Sequence, residues 1–149
     1  MTKIAVSLMV LFTSLASTAM AKEPSRKQVE AFWEWNACVD REHYAYQSYR
    51  EPLKELRDSF VNYDKPVSVE ECYSVVVLAQ KWIESMQECL PLGHKLLKIE
   101  TPANVKIEQV NRSIRQTTEN LENNIHYAKG FKQELKEICS DRSTLTFTQ

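Results

Sequence analysis

The fold this sequence predicts is all-α, an antiparallel three-helix bundle carrying two interhelical disulfides, and three observations predict it. Only two of the 149 residues are glycine and five are proline, too few turn formers for many short strands. Apolar residues recur at helical spacing over three long runs. Four cysteines fall where antiparallel helices would bring them level in pairs.

The chain opens with a segment of a different kind. Lys3, the apolar run Ile4–Leu15 and the small-residue pattern Ala19-Met20-Ala21 together read as a secretory signal peptide spanning 1–21. The apolar run falls well short of the roughly 20 residues needed to span a bilayer, so a retained anchor is the weaker reading. No cysteine follows the cleavage pattern, so lipoprotein processing is not indicated. The remainder is expected to be one helical domain, 22–139, followed by a flexible C-terminal tail, 140–149.

Helix one is expected to start at Ser25, because Ser25-Arg26-Lys27-Gln28 has the form of a capping box. Phe32, Val39, Tyr46, Leu53 and Phe60 recur every seven residues, and Trp35, Tyr49, Leu56 and Tyr63 follow members of that row by three. Glu42 is the one polar lapse in this seam. Pro52 lies inside the run and removes an amide donor. The unbroken seven-residue phase across it predicts a kink, with the rod divisible there into two helices, rather than a reversal.

Asn62–Pro66 reads as a turn. Ser68-Val69-Glu70-Glu71 is a second capping box, with Val67 and Cys72 placed as a hydrophobic staple. Helix two carries Cys72, Val75, Val76, Ala79, Trp82, Ile83, Met86, Cys89 and Leu90 on one broad face, which predicts the most buried helix. Pro91 and Gly93 are expected to end it. The apolar connector through Leu92, His94, Leu96, Leu97 and Ile99 would then pack as a short helical turn over one end of the bundle.

Thr101 and Pro102 suit the start of helix three. Ile107, Ile114, Leu121, Ala128 and Leu135 form one heptad row, and Val110, Thr117, Asn124, Phe131 and Ile138 follow each by three, predicting an a/d seam. Thr117 and Asn124 would put polar groups in that seam and set its register. Gly130 costs about 1 kcal/mol relative to alanine without interrupting so long a pattern.

The spacing constrains the disulfides. Cys72 and Cys89 lie 17 residues apart on one helix, about 25 Å at 1.5 Å per residue, beyond the roughly 7 Å reach of a bridge. An antiparallel hairpin about the turn near Asp64 brings Cys38 level with Cys89, and helix three then returns Cys139 past Cys72. The pairing predicted is Cys38 with Cys89 and Cys72 with Cys139. The alternative, Cys38 with Cys72 and Cys89 with Cys139, needs helix one to fold back at Pro52.

Composition narrows function more than it defines it. Nineteen basic and 20 acidic residues give a net charge of −1, so no strong field draws nucleic acid. The cysteines lack the close pairs of a zinc site and the C-x-x-C-H of a haem site. His43, His94 and His126 do not form the Glu-x-x-His pairs of a di-iron bundle. No nucleophile elbow or phosphate loop occurs, so neither an enzyme nor a cofactor is expected. Asn111-Arg112-Ser113 fits the glycosylation sequon, but inside a helix that match is weak.

Helix one shows what a core does not explain. Trp33 and Tyr44 share an outward face with Asp40 and Arg41, the mixture of aromatic and polar groups common at interaction hot spots. The opposing reading packs these aromatics beneath the connector around Leu96 and Leu97 or beneath the tail. In that tail Leu145 and Phe147 alternate with threonines, a pattern that also suits adding a strand to a partner's sheet.

Leu78-Ala79-Gln80-Lys81-Trp82, followed by Cys89, resembles a segment of small exported lysozyme inhibitors of the LprI type, which are helical and cysteine-linked. The resemblance covers residues 78–89 and implies an exported binding protein. The tryptophan-to-cysteine spacing is one residue short, and that family's two early cysteines have no counterpart, so the match stops short of membership. The function expected is therefore an exported, periplasmic or secreted, non-enzymatic module that binds another protein as an inhibitor, an immunity protein or an envelope-assembly accessory. The alternative is a structural or chaperone-like coiled-coil envelope protein, whose sustained heptads would suit a homo-oligomer.

Overall fold

A computed structural model describes residues 23–62, 67–99 and 105–145. The signal segment 1–21, most of the turn before Val67 and the start at Thr101-Pro102 lie outside the described residues. Among the described residues three helices are formed, α1 (Arg26–Asn62), α2 (Val69–Leu97) and α3 (Val105–Leu145).

Both capping boxes are present. The Ser25 amide donates to Gln28 Oε1 at 2.6 Å and the Gln28 amide returns to Ser25 Oγ at 3.3 Å. Ser68 and Glu71 repeat the exchange at 2.9 and 3.1 Å, satisfying amides that the first helical turn leaves without partners.

Both interior prolines are absorbed. α1 continues through Pro52 as one helix, and α2 continues through Pro91 and Gly93 to Leu97, so the end expected at Pro91 moves and the connector becomes its last turns. The reason is location: the carbonyls that lose their donors belong to Ser48 and Gln87, both exposed residues, so the missing bond costs far less than it would in the core. Core residues beyond each proline, Leu56 and Leu96, hold the continuation in place.

Gly93 is needed for closeness. A Cβ there would overlap the Thr118 hydroxyl and stand 3.1 Å from Trp35 Nε1, so α2 gives up a side chain where groups from both outer helices crowd onto it. α3 likewise exceeds its expected end, running past Cys139 to Leu145. The segment from Ser140 is thus a continuation of the helix and not a free tail through Leu145, tied in part by the Tyr73 hydroxyl 2.9 Å from Ser140 Oγ.

The helices run antiparallel in sequence. Cys38 pairs with Cys89, with Cα atoms 5.5 Å apart, and Cys72 with Cys139 at 5.7 Å, the connectivity the hairpin geometry predicts. α2 is central: Cys72, Val75, Val76, Ala79, Trp82, Ile83, Met86 and Cys89 are all buried, and each large apolar side chain so covered is worth about 1.5–3 kcal/mol. α1 and α3 pack along it and scarcely touch each other.

That arrangement corrects the seam assigned to α3. Ile114, Leu121, Ala128 and Leu135 are buried as expected, but their partners are Thr118 and Cys139, four residues after Ile114 and Leu135. The row expected beside them is turned sideways: Thr117 and Phe131 are half-buried, Asn124 is exposed, and Ile138 is 44% exposed. α1 does the same, burying Trp35, Cys38, Tyr49 and Leu56 while Val39, Tyr46 and Leu53 stay half-buried. A helix with one neighbour covers one row and leaves the next beside it open.

Candidate functional site: an aromatic groove between the outer helices

Tyr46 and Leu53 from the half-covered row of α1 and Asn124 from the open row of α3 line a groove of about 430 Å³ whose floor is Trp82 of α2. Tyr46 and Tyr49 reach over that indole from α1, with ring centroids 5.0 and 5.4 Å away, and Tyr49 is stacked at an interplanar angle of 19°. Arg50 and Leu53 complete the α1 wall, and Asn124 and Tyr127 form the α3 wall. Tyr127 is 67% exposed and stacks on Phe131 at 6.2 Å.

Trp82 is locked in orientation. Its Nε1–H donates to Glu42 Oε1 at 2.6 Å, so the residue that breaks the apolar seam of α1 serves a buried indole that would otherwise lack an acceptor. Burial raises the Tyr49 phenol well above its ordinary pKa, and neighbouring Tyr127 and Tyr46 push in the same direction. It stays protonated at neutral pH. Among the described residues, Arg50 makes no ion pair, leaving a guanidinium beside aromatic faces with no carboxylate assigned to it.

Trp33, Tyr44, Asp40 and Arg41 lie elsewhere. All four are exposed, Trp33 at 48% and Tyr44 at 77%. Among the described residues the ring contact of Trp33 is an edge-on one with Phe32 at 6.0 Å. Leu96 and Leu97 pack with Phe32 and Trp35, so the apolar stretch after Pro91 covers the inner face of α1. The outward aromatics form a surface distinct from the groove, and eleven residues separate them along the helix.

Periodicity alone does not reveal the groove, because it places Tyr46, Tyr49, Leu53 and Asn124 in closed seams and gives Arg50 and Tyr127 no place. One signal was present: from Ser113 through Thr117, Asn120, Asn124 and Tyr127 to Phe131, one stripe of helix three carries no charge, although 26% of the chain is charged. Solvated helix faces are normally charged.

His94 Nε2 faces Glu122 Oε1 at 3.0 Å, joining α2 to α3 at the surface, while His43 neighbours Gln47 at 3.5 Å. Among the described residues no cluster of three His, Cys, Asp or Glu is placed to hold a metal, and every cysteine is bridged. No helix among them is long and apolar enough to cross a membrane.

Fold and site together define a disulfide-pinned three-helix frame with an open aromatic groove. No protein family, curated protein or solved structure matches the chain.

Proposed function

We propose that this chain is an exported, non-enzymatic module that binds another protein, acting in the periplasm or outside the cell as an inhibitor, an immunity protein or an envelope-assembly accessory. The observation that supports it is the groove: Tyr46, Tyr49, Trp82 and Tyr127, together with Arg50, gather the residue types that dominate protein–protein hot spots. Two interhelical bridges keep that surface preorganised, which lowers the entropy lost on association. Bridged cysteines also suit an oxidising compartment.

The test is to immobilise the folded, oxidised protein, capture from an envelope extract and identify what is retained. That candidate is then purified and titrated calorimetrically. A saturable complex of fixed stoichiometry, weakened at least tenfold by Tyr46→Ala with Tyr127→Ala or by Trp33→Ala with Tyr44→Ala, supports the proposal. Retention that never saturates with purified material counts against it.

A further inference from the structure

We infer that the groove seats an acidic amphipathic α-helix of the partner protein, as the fourth member of a four-helix bundle of which this chain supplies three. This deepens the protein-binding reading and rests on it.

The geometry of α2 leads there. Cys72 and Cys89 are 17 residues apart, so at 100° per residue they leave the helix in directions about 100° apart. α1 is fastened at one and α3 at the other, which places the outer helices on two adjacent sides of α2. In a square bundle one further position touches both outer helices, and the groove occupies it. The half-buried Val39, Tyr46 and Leu53 of α1, and on α3 the half-buried Thr117 and Phe131 with the exposed Asn124 between them, keep the seven-residue spacing with which a helix meets another helix. The α1 lining of the groove runs from Glu42 to Leu53, 11 residues or about 17 Å of wall at 1.5 Å per residue, enough for roughly three turns of a guest.

Charge selects the guest. Arg50, Lys54 and Arg57 stand exposed along α1, and among the described residues none of them makes an ion pair. The facing stripe of α3 is uncharged through Phe131, and Glu134 is the first carboxylate beyond it. Glu42, the acid on the groove itself, is already engaged by the Trp82 indole. An apolar stripe flanked by carboxylates would fill the aromatic floor and pair with the three cations, the helix-in-groove mode of recognition. The leader 1–21 contains no acidic residue and does not meet this requirement. A second copy would bring α3, whose outer face carries Glu108, Glu119 and Glu137 with Arg112 and Arg115, but has Gln116, Asn123, His126 and Gly130 where a guest needs an apolar stripe to fill the aromatic floor.

The probes are two designed 21-residue helical peptides with the same leucine stripe, one flanked by glutamates and the other by lysines. They are titrated into the ¹⁵N-labelled oxidised protein, whose three tryptophans give three indole signals. The glutamate peptide is expected to bind one to one, shift the Trp82 signal and leave that of Trp33 in place, with the lysine twin at least tenfold weaker. Arg50→Glu with Arg57→Glu, shown to be folded by circular dichroism, is expected to reverse that preference.

Equal binding of both peptides, binding of neither, or a shift confined to Trp33 overturns the inference. So does a sedimenting dimer in which Tyr127 is protected. A captured partner that binds the charge-reversed variant as well as wild type overturns this inference alone, leaving the protein-binding reading intact.

Discussion

Tyr49 lies flat against Trp82 in the groove floor, where its hydroxyl is removed from bulk water and its pKa is raised by burial. In the unfolded chain the phenol titrates near 10. Between that value and the higher folded one, the native state binds the proton more tightly, so stability falls as pH rises. The contribution is therefore complete below about pH 10 and is lost above it. Urea midpoints measured from pH 8 to 11 are expected to drop more steeply for wild type than for Tyr49→Phe; parallel curves would show that the phenol is not specially placed. At the same scale, Glu42 shows how a residue that breaks an apolar pattern serves a partner forty positions away.

Among the elements, α2 depends most on one small residue. Gly93 lies mid-helix where Trp35 and Thr118 approach from opposite neighbours, and the Thr118 hydroxyl is held by donating to the Ile114 carbonyl at 2.8 Å. Gly93→Ala should raise helix propensity by about 1 kcal/mol, yet forcing a methyl into this crossing costs roughly 1–3 kcal/mol. The expected result is net destabilisation in chemical denaturation. Gly130→Ala on α3, with nothing within 4 Å of the added carbon, is expected to stabilise, and a stabilised Gly93→Ala would show that the crossing is looser than described. The starts at Ser25 and Ser68 were legible because capping acts over three residues. The end expected at Pro91 moves to Leu97, because whether a helix outlasts a proline depends on packing farther along.

For the whole molecule, the disulfides close spans of 51 and 67 residues, each worth about 4 kcal/mol by chain entropy. For a domain of this size, total stability is about 5–15 kcal/mol, so the two bridges are comparable with everything else. Cys72→Ser with Cys139→Ser is expected to lower Tm by on the order of 15 °C and to leave wild-type α1–α2 pairing. Reductant is expected to lower the wild-type midpoint further still. An unchanged Tm in dithiothreitol would show that helix packing alone sustains the frame. Setting two outer helices against one buried partner also leaves the outer pair apart, and that separation creates the groove.

What the sequence by itself determined is the set of rods, their capped starts at Ser25 and Ser68, and the pairing of Cys38 with Cys89 and Cys72 with Cys139. These follow from the constant rise and turn of an α-helix, which make spacing along the chain a measure of distance and direction. Only the tertiary structure decided which heptad row on α1 and α3 would be covered, why position 93 must lack a side chain, and that Glu42 would meet Trp82. Periodicity states which way a side chain points from its own axis. Whether a neighbour stands there depends on how many helices surround that axis, and residues distant in the chain settle that number.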